Sequence, residues 1–268
     1  MRKSHLLIIA VLVVALLALA LIARQMITRR SETTGPGDLL ESGRAHLEAG
    51  EYDAAITDLQ AAIEADPGDS EAHFLLGQAY NRTGGLLKAE DEFRTVVALD
   101  PDNAAAHHNL GVTYFQLQKP DKAIAAFQVA LRLDPDDPYT HYQLGAVYFN
   151  LALPADNAMA PPDPQLLEQA IAEFETALEL NENMPEALIG MGNIYIIRAN
   201  YVSAIEVLQR AIEQMPDSPE AYYALGEAYA QSGDAESACE TYGHFLTLGP
   251  PPVWLDQAKE RMTSLGCP

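Results

Sequence analysis

The chain has 268 residues, with 38 Asp plus Glu against 16 Lys plus Arg and a formal charge of −22. A surface that anionic repels phosphate, so nucleic acid is not an expected partner. The only two cysteines, Cys239 and Cys267, have no CxxC or Cys/His spacing around them, which leaves zinc ribbons and redox dithiols unsupported.

Residues 1–30 read as an N-terminal transmembrane anchor. They contain Arg2, Lys3, Arg24, Arg29 and Arg30 and no acid, so the remainder carries 11 bases against 38 acids. Residues 6–23 form an uncharged run of 18, nearly all Leu, Ile, Val and Ala. A helix of that length spans about 27 Å, close to the hydrocarbon thickness of a bilayer. A cleaved signal peptide is the competing reading, because Ala18-Leu19-Ala20 has the small-x-small form of a cleavage site. Continuation of the run through Leu21 and Ile22 to Arg24 favours an uncleaved span. Basic residues flank both ends, so the positive-inside rule leaves the orientation open. A short basic head before an apolar run is the secretory pattern, which places the C-terminal part on the extracytoplasmic side. Residues 31–36, Ser-Glu-Thr-Thr-Gly-Pro, have linker composition.

From residue 36 onward the chain repeats itself. A glycine followed three positions later by an aromatic recurs at Gly77/Tyr80, Gly111/Tyr114, Gly145/Tyr148, Gly192/Tyr195 and Gly226/Tyr229, with Gly43/His46 a weaker first member. The period is 34 residues, lengthened to 47 between Gly145 and Gly192. A small residue recurs at Ala55, Ala89, Ala123, Ala170, Ala204 and Ala238, and a large one at Leu59, Phe93, Phe127, Phe174, Leu208 and Tyr242. Pro67, Pro101, Pro135, Pro216 and Pro250 close the units, and Glu182 takes that place in the fourth. Each unit holds two apolar stripes at helical spacing, such as Leu76/Tyr80 and Ala89/Phe93. One hairpin cannot bury both stripes, so stacking supplies the core. The units run 36–69, 70–103, 104–137, 138–184, 185–218 and 219–251, and the fourth carries an insertion at about 152–164. Residues 252–268 read as a capping helix and tail: Trp254, Ala258 and Met262 would cover the last unit while Asp256, Lys259, Glu260 and Arg261 face water.

Several series keeping one period over residues 36 to about 251 resemble the tetratricopeptide repeat (TPR) family. The resemblance implies an all-α fold: a right-handed superhelix of six helical hairpins behind the N-terminal anchor, ending in the capping helix. It also implies that the first helix of each hairpin lines a concave, polypeptide-binding groove. Carried onto this chain, that groove holds Phe74, Gln78, Asn81 and Arg82, then His108, Asn109, Val112, Phe115 and Gln116. It continues with Tyr142, Gln143, Phe149 and Asn150, then Ile189, Asn193 and Ile196, and finally Tyr223 and Glu227. Amides suit a peptide backbone and aromatics its side chains; packing between neighbouring units is the competing role for each. Chaperone-binding members clamp a C-terminal carboxylate with basic residues on flanking first helices. Only Asn109 fits that pattern here; Phe74, Gln78, Tyr139 and Gln143 stand where bases belong.

In the same frame Cys239 falls on the second helix of unit six and Cys267 just past the cap. Two readings stand: a disulfide stapling the cap, which needs an oxidising compartment, or one buried and one frayed thiol. His73, His107 and His141 recur at period 34, but neighbouring helices pack 8–10 Å apart and one zinc needs ligands near 2 Å, so packing is the expected role. No nucleophile–base pair, phosphate loop or cofactor motif appears. The insertion, rich in proline with Pro154, Pro161, Pro162 and Pro164, is either an arm over a bound partner or a tolerated loop. The expected function is therefore a membrane-tethered scaffold without enzymatic activity, small-molecule substrate, cofactor or metal. The alternative is an assembly subunit of a membrane complex, as in cytochrome c maturation or secretion-accessory proteins, using its convex or edge surfaces.

Overall fold

The computed structural model describes residues 35–154 and 160–267. The run at residues 6–23, and with it the choice between anchor and signal peptide, lies outside them. The described residues form thirteen α-helices and no strand. They pair as α1 (Pro36–Glu48) with α2 (Tyr52–Ala65), α3 (Ser70–Arg82) with α4 (Leu86–Leu99), and α5 (Ala104–Gln116) with α6 (Pro120–Leu133). Then come α7 (Pro138–Ala152) with α8 (Pro164–Leu180), α9 (Pro185–Ile197) with α10 (Tyr201–Gln214), α11 (Pro219–Ser232) with α12 (Ala235–Thr247), and a single closing helix α13 (Pro252–Leu265). None of these helices is long and apolar enough to cross a membrane.

Local chemistry sets the helix ends. Asp69, Asn103, Asp137 and Ser218 stand just before α3, α5, α7 and α11, and their side chains accept backbone N–H groups of the first turn. Second helices α2, α4 and α6 stop at Asp66, Asp100 and Asp134, each followed by proline, which disfavours helical backbone in the residue before it. The hairpin turns need a left-handed residue. Gly50, Gly84 and Gly233 supply it, whereas Gln118 (φ 58°) and Ala199 (φ 55°) adopt it with a side chain attached.

The recurring glycine and the recurring large residue are two halves of one contact. A Cβ on Gly77 would lie 2.8 Å from the Phe93 ring, one on Gly226 2.7 Å from Tyr242, and one on Gly192 2.6 Å from Leu208. Each large side chain is fully buried against its glycine, Phe93, Phe174, Leu208 and Tyr242 all at 0–1% exposure. Phe174 is wedged on both sides, since a Cβ at Gly145 or at Gly190 of the next hairpin would come within 2.8 Å of its ring. Between hairpins, Gln60 donates to the Tyr80 hydroxyl (2.8 Å) and Gln209 to that of Tyr229 (3.0 Å). The first hairpin departs from this scheme: His46 fills the tyrosine place, and its ring lies 3.1 Å from the buried Asp58 carboxylate, which also accepts from Ser42.

The chain divides into two compact units, residues up to Gln118 and from Lys119 onward. Within the first, α1 lies against α3 and α3 against α5; within the second, α7 lies against α9 and α9 against α11. Successive second helices make no contact of that extent. Each unit therefore bends with its first helices on the inside. The insertion is partly taken up as helix: α7 has 15 residues and α8 has 17, against 13 or 14 in the other helices. The remaining loop is closed by the Asp163 N–H donating to the Ala152 carbonyl (2.8 Å), and Asp163 then caps α8 ahead of Pro164.

Helix α13 stands in the register of a seventh first helix. Ala258 is fully buried against α12, with Trp254, Met262 and Leu265 packed around it. Cys239 and Cys267 are joined, with Cα atoms 5.5 Å apart, so the end of α13 is tied to α12.

Candidate polypeptide-binding surface

In the first unit, much of the inner face is already in use. Asn81 donates to the Thr113 hydroxyl on the next first helix (2.9 Å), and Thr113 donates to the Asn109 carbonyl (2.7 Å). The Asn109 amide bonds back to the Ala105 carbonyl (2.8 Å). Phe74 packs edge-on against Phe93, centroids 5.8 Å apart, and Arg44 pairs with Glu71 across helices. Asn81 thus bonds one hairpin to the next, Phe74 packs within its own hairpin, and the Asn109 amide is occupied within its own helix. Gln78, His108, Val112 and Phe115 are half-buried, and Arg82 and Gln116 are exposed.

The second unit differs. Helix α7 has no Asp, Glu, Lys or Arg, and α9 has only Glu186. Tyr142 leans on Phe174 (5.9 Å), and burial, helped by Glu186, raises its phenol pKa. Gln143, Phe149, Ile189, Asn193 and Ile196 are half-buried and Asn150 is exposed. These side chains are amide, aromatic and aliphatic, and Glu186 is the one acid on α7 and α9.

Two residues expected in the groove are already engaged. Tyr223 sits in a ring cluster with Tyr242, Phe245 and Trp254, 5.5–6.0 Å between centroids. Glu227 is 9% exposed and its oxygens are taken: Tyr242 donates to it at 2.6 Å and Arg261 at 2.9 and 3.0 Å. Burial and this carboxylate push the Tyr242 phenol far above its ordinary range, and the same charge raises Arg261. Arg261, expected to face water, is exposed and also reaches back to Glu227 on α11. The sequence signal was available, since opposite charges stand one period of 34 apart; a reading confined to one hairpin at a time passes over it.

The three histidines are locks. The Nε2–H of His73 donates to the Pro67 carbonyl (3.2 Å), and His107 and His141 do the same to Pro101 (3.0 Å) and Pro135 (3.1 Å). The other ring nitrogen lies 2.6 Å from Glu92 in the first case and from Glu173 in the third. Each ring thus ties a turn to its own hairpin, and in unit six Tyr222 fills the position and stacks on His244 at 4.3 Å. Among the described residues no group of three or more His, Cys, Asp or Glu is placed to hold a metal.

Profiles described as tetratricopeptide repeat match residues 40–94, 92–125 and 219–250, and one described as TPR repeat matches 113–151 and 192–233. The chain belongs to the tetratricopeptide-repeat family. The TPR matches skip residues 152–191, where the insertion breaks the period. Superkiller complex protein 3 of Mus musculus is 44% identical over 54 residues, which is 20% of this chain and 4% of that protein. The TPR chain therefore spans only a small part of that relative's length. PilF of Pseudomonas aeruginosa superposes with a TM-score of 0.70 at 20% identity, covering 84% of this chain and 96% of that one. PilW, a type IV pilus biogenesis factor, superposes with a TM-score of 0.71 at 16% identity, covering 83% and 97%. At those identities the likeness shows the fold.

Proposed function

We propose that the protein is a membrane-tethered adaptor that captures a polypeptide on the inner face of its TPR array. The observation carrying this reading is the nearly charge-free stretch of first helices. In a chain of −22, α7 contains no Asp, Glu, Lys or Arg and α9 only Glu186, yet they present half-buried Tyr142, Gln143, Phe149 and Ile196. Aromatic and amide side chains bind peptide side chains and backbone, and carry no chemistry of their own. The apolar run at residues 6–23 supports the tether. The Cys239–Cys267 bond supports an oxidising, extracytoplasmic compartment.

A second reading, an assembly subunit gripping a membrane complex by its outer surface, draws on Leu133 and Leu180. These share one register at second-helix ends and are 38% and 40% exposed. Photoreactive residues in native membranes separate the two. A probe at Phe149 should capture the partner and one at Leu180 should not; capture from Leu180 alone rejects the inner face as the binding surface.

A further inference from the structure

Resting on the groove reading above, the inner face of the second unit narrows the class of polypeptide that fits. Tyr142 and Ile189 share one register on α7 and α9, and Phe149 and Ile196 share another, two helical turns further along. Two apolar rows therefore run across the helices, about 10 Å apart. Beside them stand Gln143 and Asn193, whose side chains make no hydrogen bond within the described residues. This contrasts with Asn81 and Asn109 in the first unit, whose amides are occupied. A partner helix satisfies its own backbone and has nothing to offer such amides; an extended segment presents free N–H and C=O groups.

Charge is removed from this face by a specific device. Glu227 points from α11 into the same register as Asn193, where it would favour a cationic partner. The two bonds from Arg261 cancel that charge, and Arg261 is carried by α13, which the disulfide ties down. With that pair closed, the acids left on α7, α9 and α11 are Glu186 and Glu220, both in the first turn of their helices and outside the stretch between the two rows.

We propose that the second unit selects an extended, apolar segment that lacks charged residues, and that Arg261 is a positioning residue that enforces this by neutralising Glu227. Selection then works against the field of the whole molecule, which attracts bases at long range but offers them no unpaired acid between the two rows.

The test is affinity selection of random displayed 12-residue peptides on the full chain in detergent. The retained pool should be depleted about threefold or more in Asp, Glu, Lys and Arg alike, with retention unchanged between low and high salt. Phe149→Ala should reduce retention by about tenfold, the size of a single binding hot spot. A pool rich in Lys and Arg that washes off with salt overturns the inference and leaves the groove reading standing. Retention indifferent to Phe149→Ala and Ile196→Ala, or no retained peptide at all, rejects the groove reading itself. Arg261→Gln should admit Lys- and Arg-containing peptides, and adding Glu227→Gln should restore the neutral pool while controlling for loosening of the cap. An unchanged pool in Arg261→Gln overturns the neutralising role.

Discussion

The two units use the same register differently. In the first, the Asn81 amide bonds Thr113 on the next hairpin, and the Asn109 amide bonds its own helix. In the second, Gln143, one period after Asn109, makes no side-chain hydrogen bond among the described residues, while cohesion comes from Phe174 wedged between Gly145 and Gly190. The period fixes where a side chain points but not whether it is needed for cohesion. Where packing supplies enough, the polar positions are left for a ligand.

The largest test of that contrast compares Phe93→Ala with Phe174→Ala. Both rings are buried, and removal should cost about 3–5 kcal/mol. Phe174→Ala should lie at the upper end, because its flanking glycines give the cavity no side chain to collapse inward. Equal midpoint shifts in chemical denaturation would show that the second wedge adds nothing. Next, reducing the Cys239–Cys267 bond, which closes a separation of 28 residues, should cost about 2–4 kcal/mol. The effect belongs to the second unit alone: hydrogen exchange should rise across α13 and stay unchanged in α1 to α5.

A smaller pair bears on the amides directly. Asn81→Ala should lower stability by about 1 kcal/mol through its lost bond to Thr113, whereas Gln143→Ala should leave stability within about 0.5 kcal/mol and weaken peptide retention. The reverse order would abolish the distinction between the units. Within α12, Asp234 accepts from Ser237, and those bonds hold its carboxyl below the ordinary range. Because the folded-state pKa is the lower one, its contribution is present at neutral pH and fades as pH falls through that value. The Tm gap between the wild type and Asp234→Ala should close in acid. Smallest of all, Ala199→Gly should raise stability by about 0.5 kcal/mol, the relief of left-handed backbone set against a more flexible unfolded chain.

Much of this was legible in the sequence. The 34-residue period locates the hairpins and the insertion, because helix caps and turn prolines act locally. The sequence also marks Gly77 and Phe93 as members of separate series, but not as each other's partner, since spacing alone does not say which side chain crosses a hairpin. The histidines were placed correctly as packing residues; their bonds to the turn carbonyls and to Glu92 or Glu173 depend on the hairpin geometry. The contacts of Tyr223, Glu227 and Arg261 across α11, α12 and α13 are not legible from single hairpins, because the cap continues the array and its residues obey the period although the repeat motif has ended.

That continuation has a consequence for assembly. An array generated by translation has no intrinsic length, and an open last hairpin would accept the first hairpin of another copy, and so on into a fibre. Helix α13 follows the register for one more helix and then stops it. The face on which a second helix would settle carries Asp256, Lys259, Glu260 and Thr263, all exposed to solvent. A further hairpin docking on that face would have to strip those charges of water.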